Sequence, residues 1–411
     1  MFDKLTRSKV FRDPIYGYIE VEYKIILDLI DSKEVQRLRR ILQLSGVSMV
    51  FHTAEHSRFT HALGAYHVAN LMLHHVEGID CLTEYERVVF LCSALLHDIG
   101  HGPYSHAFEM VLLTSHEEMT EKIILCKDTD VNRILNQVGG LAEAVASVIG
   151  HKGKYPLIES LVSSQLDVDR MDYLTRDAYF TGATYGAIDM QRLLRSMKIV
   201  NGQVLCRASG VHTLESYLMS RYHMYFQVYY HPVARSYELL LESMYERIKD
   251  LTKEGKILDA NIASFLNVIK DNNDVLSYIE LDDAYVNGFI KQFMNSSDPV
   301  LSRLAKAFNH RELFRYVDLA NHPDGKMLQS LKENAEKHPF GKYYYFENSV
   351  SAVAYLQTNK KKSNDAVVAI KVVLPNGEIK NLDEYSPIVH SLVSSSYKRV
   401  ERIYYFEDLD V

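Results

Sequence analysis

Apolar residues recur every three or four positions through most of the first 314 residues, as they do along one face of an amphipathic helix. Ile26, Leu29 and Ile30 are one example of this spacing. The pattern predicts helices at about residues 59–76, 83–98, 105–113, 116–125, 129–136, 140–149, 156–162, 165–179, 189–196, 211–230, 232–252, 260–270, 274–281, 283–293 and 298–308. We therefore expect a body built almost entirely of helices.

Two parts of the chain show short β-rich stretches instead. Residues 9–21 predict a small hairpin around Gly17. Near the C-terminus, strands are predicted at residues 343–346, 366–374 and 402–406. The expected fold class is mainly α, with a helical core over residues 1–320 and a small α+β lobe over residues 321–411.

Charge and cysteine usage exclude several classes of protein. A chain of 411 residues can bury a large core, and its net charge of −7 gives no general attraction to nucleic acid. The four cysteines show no paired spacing, which is typical of a reducing compartment and argues against a cysteine-based zinc site. Without an apolar run long enough to cross a bilayer, the sequence predicts a cytoplasmic protein with no membrane partner.

A dense group of polar residues follows the apolar helix predicted to end near residue 98. His97 and Asp98 are adjacent, and His101 and His106 come directly after them. Such groups are costly to bury unless they are paired or bound to a metal. A solvent-exposed helix end is the simpler alternative, and two residues alone cannot hold a metal ion.

Further candidate ligands lie on the neighbouring predicted helices. A His and carboxylate site needs about four protein ligands. His61 opens one helix, while Asp169, Tyr173 and Asp177 are spaced four apart on another and share a face. Taken alone, a histidine at this position is more often a core or surface residue than a metal ligand, and the acidic face is as typical of solvent exposure as of ligand binding.

Several blocks together resemble the HD metal-dependent phosphohydrolases, and within them the deoxynucleoside triphosphate (dNTP) triphosphohydrolases. The similarity extends from about Lys9 to Arg315 and, more loosely, into the C-terminal lobe. The matching blocks are Arg58-Phe59-x-His61-x-Leu63-Gly64, His97-Asp98-x-Gly100-His101-Gly102-Pro103-x-Ser105-His106, His116-Glu117 and Asp167-Val168-Asp169-x-x-Asp172-Tyr173-x-x-Arg176-Asp177.

The resemblance implies hydrolysis of a dNTP to a deoxynucleoside and inorganic triphosphate. It implies a divalent iron, manganese or zinc ion, with Mg²⁺ accompanying the triphosphate. The implied metal ligands are His61, His97, Asp98 and Asp169. The implied catalytic residues are His101, His106 and His116, oriented by Glu109 and Glu117, with His106 as the first choice of proton donor and His116 the next.

The resemblance also implies a set of substrate contacts. Arg58, Arg170 and Arg221 would bind phosphate, with a surface salt bridge as the simpler alternative for each. Tyr229 would exclude a ribose 2′-hydroxyl, although an aromatic-rich helix is more often core. The remaining implied contacts to the nucleoside are Gln43, Leu44, Tyr173 and Asp177.

A second nucleotide site is implied by similarity to the relative that carries a SAM domain. The activator, GTP, dGTP or another dNTP, would bind to Lys9, Asp31, Gln36 and Arg39. A further pocket shared between subunits would use Arg192, Arg207, Arg311 and Arg315, although Thr213 stands where that relative has an asparagine. The implied assembly is a homotetramer. By composition alone, these residues are typical of a helix cap and solvated faces.

Two other functions remain open at this point. One is an HD phosphohydrolase acting on nucleoside monophosphates or on signalling nucleotides such as (p)ppGpp. The other is a nucleotide sensor, or a binder of single-stranded nucleic acid, without catalysis. The complete ligand set argues against an inactive site, and the negative charge argues against strong nucleic-acid affinity.

Overall fold

The predicted fold class is confirmed: the protein is mainly α-helical, and its described residues include three small sheets. The computed structural model describes residues 2–112, 114–256, 261–321, 323–351, 369–395, 399–406 and 409. No helix in these ranges is both long and apolar enough to span a membrane.

The helices of the described ranges agree closely with the apolar periodicity. Their bounds are α1 (Lys24–Ile30), α2 (Lys33–Arg37), α3 (Arg58–His75), α4 (Glu84–Leu96), α5 (His106–Leu112), α6 (His116–Leu125), α7 (Asp130–Leu135), α8 (Leu141–Ile149), α9 (Pro156–Val162), α10 (Val168–Thr181), α11 (Met190–Ser196), α12 (Val211–Met224), α13 (Pro232–Lys253), α14 (Ala263–Lys270), α15 (Val275–Ile279), α16 (Asp283–Phe293), α17 (Pro299–His310), α18 (Gly325–Lys337), α19 (Leu382–Tyr385) and α20 (Pro387–Ser395).

Nine strands in the described ranges form the three sheets. Their bounds are β1 (Lys4–Asp13), β2 (Gly17–Tyr23), β3 (Met197–Val200), β4 (Gln203–Arg207), β5 (Arg315–Asp318), β6 (Tyr345–Ser351), β7 (Lys371–Val373), β8 (Ile379–Asn381) and β9 (Arg399–Tyr405). The sheet orders are β1-β2, β3-β4-β7-β8 and β5-β9-β6. The predicted N-terminal hairpin is therefore present, and part of the predicted strand at residues 366–374 lies outside the described residues.

The strands β3 and β4 were not predicted, and they lie in the gap between the helices expected at residues 189–196 and 211–230. They form an antiparallel hairpin in which Met197 pairs with Cys206. Asn201 and Gly202 at its turn have φ angles of 51° and 72°, the left-handed conformation that a tight two-residue hairpin turn requires. An Asn-Gly pair between β-branched residues is a hairpin signal, and the surrounding helical periodicity hid it.

The predicted helix over residues 211–230 is also corrected. The α-helix ends at Met224 and continues as a π-helical turn over Tyr225–Tyr229. Periodicity cannot register one extra residue per turn, whereas π-turns are frequent at functional sites. Both tyrosines of this turn, Tyr225 and Tyr229, line the cavity described below.

The C-terminal strands join strands from earlier in the chain. In the parallel pairing of β4 with β7, Cys206 lies opposite Val372, and in the antiparallel pairing of β5 with β9, Arg315 lies opposite Tyr405. The proposed domain boundary at residue 320 stays a prediction. Strands from both sides of this boundary pair with each other.

A close approach of α3 to α10 forms the centre of the fold. A Cβ atom on Gly64 would lie 1.9 Å from Oδ1 of Asp172 and 2.4 Å from Nη2 of Arg176. Only a residue without a side chain allows the two helices this spacing. His61, three residues earlier on α3, is thereby brought against α10.

Arg37 ties α2 to the turn that follows α4. Its side chain is buried and donates hydrogen bonds to the carbonyl oxygens of Leu281, Ile99 and His101 at 2.7, 3.1 and 2.7 Å. The guanidinium thus satisfies buried backbone acceptors on two separate segments. Arg37 is therefore an interior residue, although its neighbours Arg39 and Arg40 are exposed.

We expect Arg37→Met to lower the free energy of unfolding by about 3 kcal/mol, because it leaves three buried carbonyl groups without their charged donor. Arg40→Met is the matched control, since the Arg40 side chain is 53% exposed. The control should cost about 1 kcal/mol or less. Chemical denaturation of both variants measures the difference, and equal losses would contradict the structural role given to Arg37.

Candidate metal centre and adjoining cavity

His61, His97, Asp98 and Asp169 converge from three helices. His61 lies in the first turn of α3, His97 and Asp98 directly follow α4, and Asp169 lies in the first turn of α10. His61 Nε2 is 3.2 Å from both His97 Nε2 and Asp169 Oδ1, and it is 3.7 Å from Asp98 Oδ2. His97 Nε2 is 3.5 Å from Asp98 Oδ1.

These separations suit one shared cation. Ligand atoms bound tetrahedrally at about 2.0–2.2 Å from an ion are about 3.4 Å apart. Two imidazoles and two carboxylates form a donor set that iron, manganese and zinc accept. His61, His97 and Asp169 therefore fit the implied ion as one group. Asp98 lies 3.7 and 3.5 Å from the two histidines, and the donor set does not choose among these metals.

The electrostatics of the site also favour a bound cation. Burial by itself lowers the pKa of His61, but hydrogen bonds to Asp169 and Asp172 raise it to about 10. Burial alone would lower the pKa of His97, but the neighbouring carboxylates of Asp98 and Asp169 raise it overall. The carboxylates thus favour positive charge at this point, whether it is carried by protons or by a metal ion.

Hydrogen bonds on the outer ring nitrogens orient both histidines. His61 Nδ1 is 2.9 Å from Asp172 Oδ2, and His97 Nδ1 is 2.9 Å from the carbonyl oxygen of Ala94. An Nδ1–H that donates to these acceptors leaves each Nε2 lone pair directed at the centre. This arrangement is common among metal-binding histidines.

A second group of side chains shares Asp98. His101 Nε2 is 3.3 Å from Asp98 Oδ1, and the rings of His101 and His116 stack with centroids 3.9 Å apart. Glu109 Oε1 lies 2.8 Å from His116 Nδ1 and 3.3 Å from His101 Nδ1. Together, Asp98, His101 and His116 could also hold a cation.

The pKa values of the two stacked histidines are shifted in opposite directions. Burial, followed by Arg58 and His116, lowers the pKa of His101 to about 4. Burial lowers the pKa of His116 as well, but the hydrogen bond to Glu109 and the charge of Asp98 raise it overall. His116 is therefore the more readily protonated member of the pair.

The other two predicted catalytic residues are His106 and Glu117. His106 begins α5, and its side chain lies outside the described part of the structure. Glu117 is 54% exposed, and its Oε1 is 3.7 Å from His116 Nε2. Glu109, rather than Glu117, makes the shorter contact with the stacked histidines.

The three candidate phosphate-binding arginines all have protein acceptors. Arg58 donates to Asp98 Oδ2 at 2.5 Å and to Ser105 Oγ at 2.9 Å. Arg170 pairs with Asp167, which also caps α10. Arg221 is buried and donates to Gln165 Oε1 at 2.7 Å.

A cavity of about 510 Å³ adjoins the candidate metal centre. Its lining includes many of the residues predicted from sequence: Gln43, Leu44, Arg58, Asp98, His101, His116, Asp169, Tyr173, Asp177 and Tyr229. Residues not predicted also contribute: Ser45, Val47, Ser105, Tyr225, Tyr230, Arg235, Glu238, Asn348, Arg402 and Tyr404.

Asp177 and Tyr229 form one ordered wall of this cavity. The Tyr229 hydroxyl donates to Asp177 Oδ2 at 2.7 Å, and His56 Nε2 is 2.8 Å from Asp177 Oδ1. The rings of Tyr229 and Tyr173 lie 6.2 Å apart. His56 therefore contacts this wall through Asp177, and it was not among the residues predicted from sequence.

The C-terminal strands supply another wall that sequence reasoning missed. Arg402 and Tyr404 lie on β9, and Asn348 lies on β6. Arg402 donates to the carbonyl oxygen of Tyr230 at 2.9 Å. The local sequence pattern around Tyr230 cannot reveal that a strand more than 170 residues later in the chain lines the same cavity.

The residues implied for the first activator site lie near the N-terminal hairpin and α2. Lys9 and Asp31 are exposed. Gln36 donates to the carbonyl oxygen of Ile30 at 2.8 Å and accepts from Arg39 Nε at 2.8 Å. The Arg39 guanidinium also lies 3.6 Å from the ring centroid of Phe59.

The residues implied for the second activator pocket have diverse partners. Arg192 donates to Thr213 Oγ1 at 3.1 Å, and Arg207 forms an ion pair with Glu77. Arg311 donates to the carbonyl oxygen of Met49 at 3.0 Å. Arg315 begins β5 and is exposed. Within the described single chain, these contacts bring Arg192 and Thr213 together.

Comparison with known protein families identifies the class. Residues 58–177 match the HD domain, and residues 188–407 match the HD associated region. The chain therefore belongs to the HD-domain family, and the ligand positions found above fall within the first of these matches.

Individual relatives extend this result. The chain is 40% identical to the uncharacterized protein YwfO of Bacillus subtilis, over 99% of this chain and 94% of that protein. It is 27% identical to the human deoxynucleoside triphosphate triphosphohydrolase SAMHD1, over 80% of this chain and 58% of that protein. A crystal structure of a phosphohydrolase from Bacteroides thetaiotaomicron matches with a TM-score of 0.82 at 27% identity, covering 97% of this chain and 99% of that one.

We expect Asp169→Asn and His97→Ala each to weaken Mn²⁺ binding by at least about 100-fold, because a donor is lost from a set of four. Glu117→Gln is the control, since Glu117 is more than half exposed and outside the donor set. Electron paramagnetic resonance of free Mn²⁺ measures the affinity. Unchanged binding in both donor variants would place the metal elsewhere.

Proposed function

We propose that the protein hydrolyses dNTPs to deoxynucleosides and inorganic triphosphate. The observation that carries this proposal is a single cavity with metal-type donors on one wall and the Tyr229–Asp177 pair on another. Its volume of about 510 Å³ suits a ligand of nucleotide size. The relatives named as dNTP triphosphohydrolases support the same substrate class.

The donor set His61, His97, Asp98 and Asp169 would hold iron, manganese or zinc, with Mg²⁺ accompanying the triphosphate. A bound divalent ion supplies Lewis acidity and a water of lowered pKa. The chain's own part is to hold the donors and to compensate phosphate charge. Arg58 does both, because it contacts Asp98 and also lines the cavity.

Proton transfer to the leaving oxygen is assigned to the histidines beside Asp98. His116 is the better proton donor of the stacked pair, because contact with Glu109 favours its charged form. The low pKa of His101 leaves it neutral at pH 7. His106 remains the alternative donor proposed from the family resemblance.

Two further arginines would meet phosphate by exchanging partners. Arg221 donates to a neutral amide oxygen, so a phosphate is the stronger acceptor. Arg170 is paired with the Asp167 carboxylate and would have to share its guanidinium between two acceptors. We therefore rank Arg221 above Arg170 as a phosphate ligand.

An assay of each dNTP with product identification tests the proposed reaction. We expect inorganic triphosphate and the deoxynucleoside as products. Release of pyrophosphate or orthophosphate would favour the alternative reaction class, in which monophosphates or signalling nucleotides are the substrates. Running the assay with and without GTP or dGTP, together with sedimentation, tests the proposed nucleotide-activated homotetramer. Equal rates and an unchanged monomer would overturn the allosteric part alone.

We expect Tyr229→Ala to reduce the preference for dNTP over NTP, measured as a ratio of kcat/KM values, by about tenfold or more. The proposed cause is the loss of the ring that excludes a 2′-hydroxyl. Tyr229→Phe keeps the ring and loses only the hydrogen bond to Asp177, so it should keep most of the preference. If the Phe variant relaxes the preference as much as the Ala variant, the hydroxyl rather than the ring selects the sugar.

A further inference from the structure

The turn of the N-terminal hairpin reaches the interior of the fold. Asp13 ends β1, and its Oδ1 accepts hydrogen bonds from the backbone N–H groups of Ile15 and Tyr16 at 2.9 and 3.1 Å. Gly17 completes the turn with a φ of 75°. Asp13 therefore shapes the turn with one carboxylate oxygen and leaves Oδ2 for another partner.

That partner is Arg176 on α10, which is fully buried. Its Nη1 donates to Asp13 Oδ2 at 2.9 Å, and its Nε and Nη2 donate to the two oxygens of Asp172 at 2.9 Å each. The Tyr16 hydroxyl donates to Asp172 Oδ1 at 2.8 Å. Two residues of the hairpin turn thus contact a buried ion pair of α10.

Asp172 is in turn the partner of the candidate metal ligand His61. With His61 Nδ1 at 2.9 Å, the carboxylate has four close donors, which matches its number of lone-pair positions. Gly64 leaves just enough room for this carboxylate, since a Cβ there would lie 1.9 Å from Oδ1. The position and rotation of Asp172 are therefore fixed from several directions.

We propose that Tyr16 and Asp13 are positioning residues of the metal centre: they hold Asp172 and Arg176, which orient His61. Neither residue belongs to the four donors. Without the Tyr16 hydroxyl, Asp172 Oδ1 keeps Arg176 Nη2 as its remaining side-chain donor, so the carboxylate can rotate away from His61. The inference depends on the metal centre of the proposed function, but not on its substrate.

The direct test compares Tyr16→Phe with Tyr18→Phe, a matched control in the same hairpin whose side chain is exposed. The readout is the dissociation constant for Mn²⁺ alone, measured on the full chain without nucleotide. We expect Tyr16→Phe to weaken binding about tenfold, the low end of the range for removing a direct partner of a metal-bound histidine, because Tyr16 acts one contact further out, through Asp172. The control should stay within about twofold. Equal affinities for the two variants would overturn the proposal.

A double-mutant cycle separates positioning from general packing. In an Asp172→Asn background, Tyr16→Phe should cost little additional Mn²⁺ affinity, because the residue through which it acts has already changed. Fully additive losses would overturn the proposed route through Asp172. Asp13→Asn keeps the turn acceptor and removes the charge opposite Arg176, so its loss should be smaller, about threefold, than that of Tyr16→Phe.

These measurements also distinguish this proposal from the proposed function. A wild-type chain that binds Mn²⁺ tightly but releases no triphosphate would overturn the reaction and leave the positioning role intact. A wild-type chain that releases triphosphate while Tyr16→Phe binds Mn²⁺ normally would overturn the positioning role alone. The visible spectrum of Co²⁺-loaded protein adds a check, since a reoriented His61 should shift its absorption bands.

Discussion

Asp172 and Arg176 have no exposed side-chain surface, and burying them is costly unless every charge is matched. The hydrogen-bond partners of this ion pair come from distant parts of the chain. Asp13 and Tyr16 lie in the first hairpin, and His61 lies on α3. Because a half-satisfied network would destabilise the fold, these elements must meet in one arrangement. The candidate metal centre lies at one end of that network, so the requirement that stabilises the interior also sets its geometry.

Much of the candidate site was predictable because local pattern and chemistry agreed. His61 and Asp169 each occupy the first turn of a helix, and His97 and Asp98 follow the end of another. Helix ends are where apolar periodicity stops and polar residues begin, so such positions are visible in sequence. Their assignment to one centre rested on ligand count and family resemblance. In the structure, the nearest ligand atoms of His61, His97 and Asp169 lie 3.2 to 3.5 Å apart.

What could not be predicted depends on long-range pairing. Arg402 and Tyr404 reach the cavity because β9 pairs with β5 and β6, and no local signal encodes that pairing. The buried role of Arg37 was hidden for a similar reason, since its acceptors lie 62 to 244 residues away. In the sequence, Arg37 stands beside Arg39 and Arg40 in a basic segment, whereas in the fold it is an internal hydrogen-bond donor.

His101 and His116 show how environment, rather than residue type, separates roles. Their rings stack in parallel, yet burial beside Arg58 lowers the pKa of His101, while the contact with Glu109 raises that of His116. When two neighbouring groups have their pKa values pushed apart, acid and base roles can be assigned to them separately. Sequence reasoning preferred His106 as the acid because of its position in the family motif. The contact with Glu109 gives His116 an independent physical argument for that role.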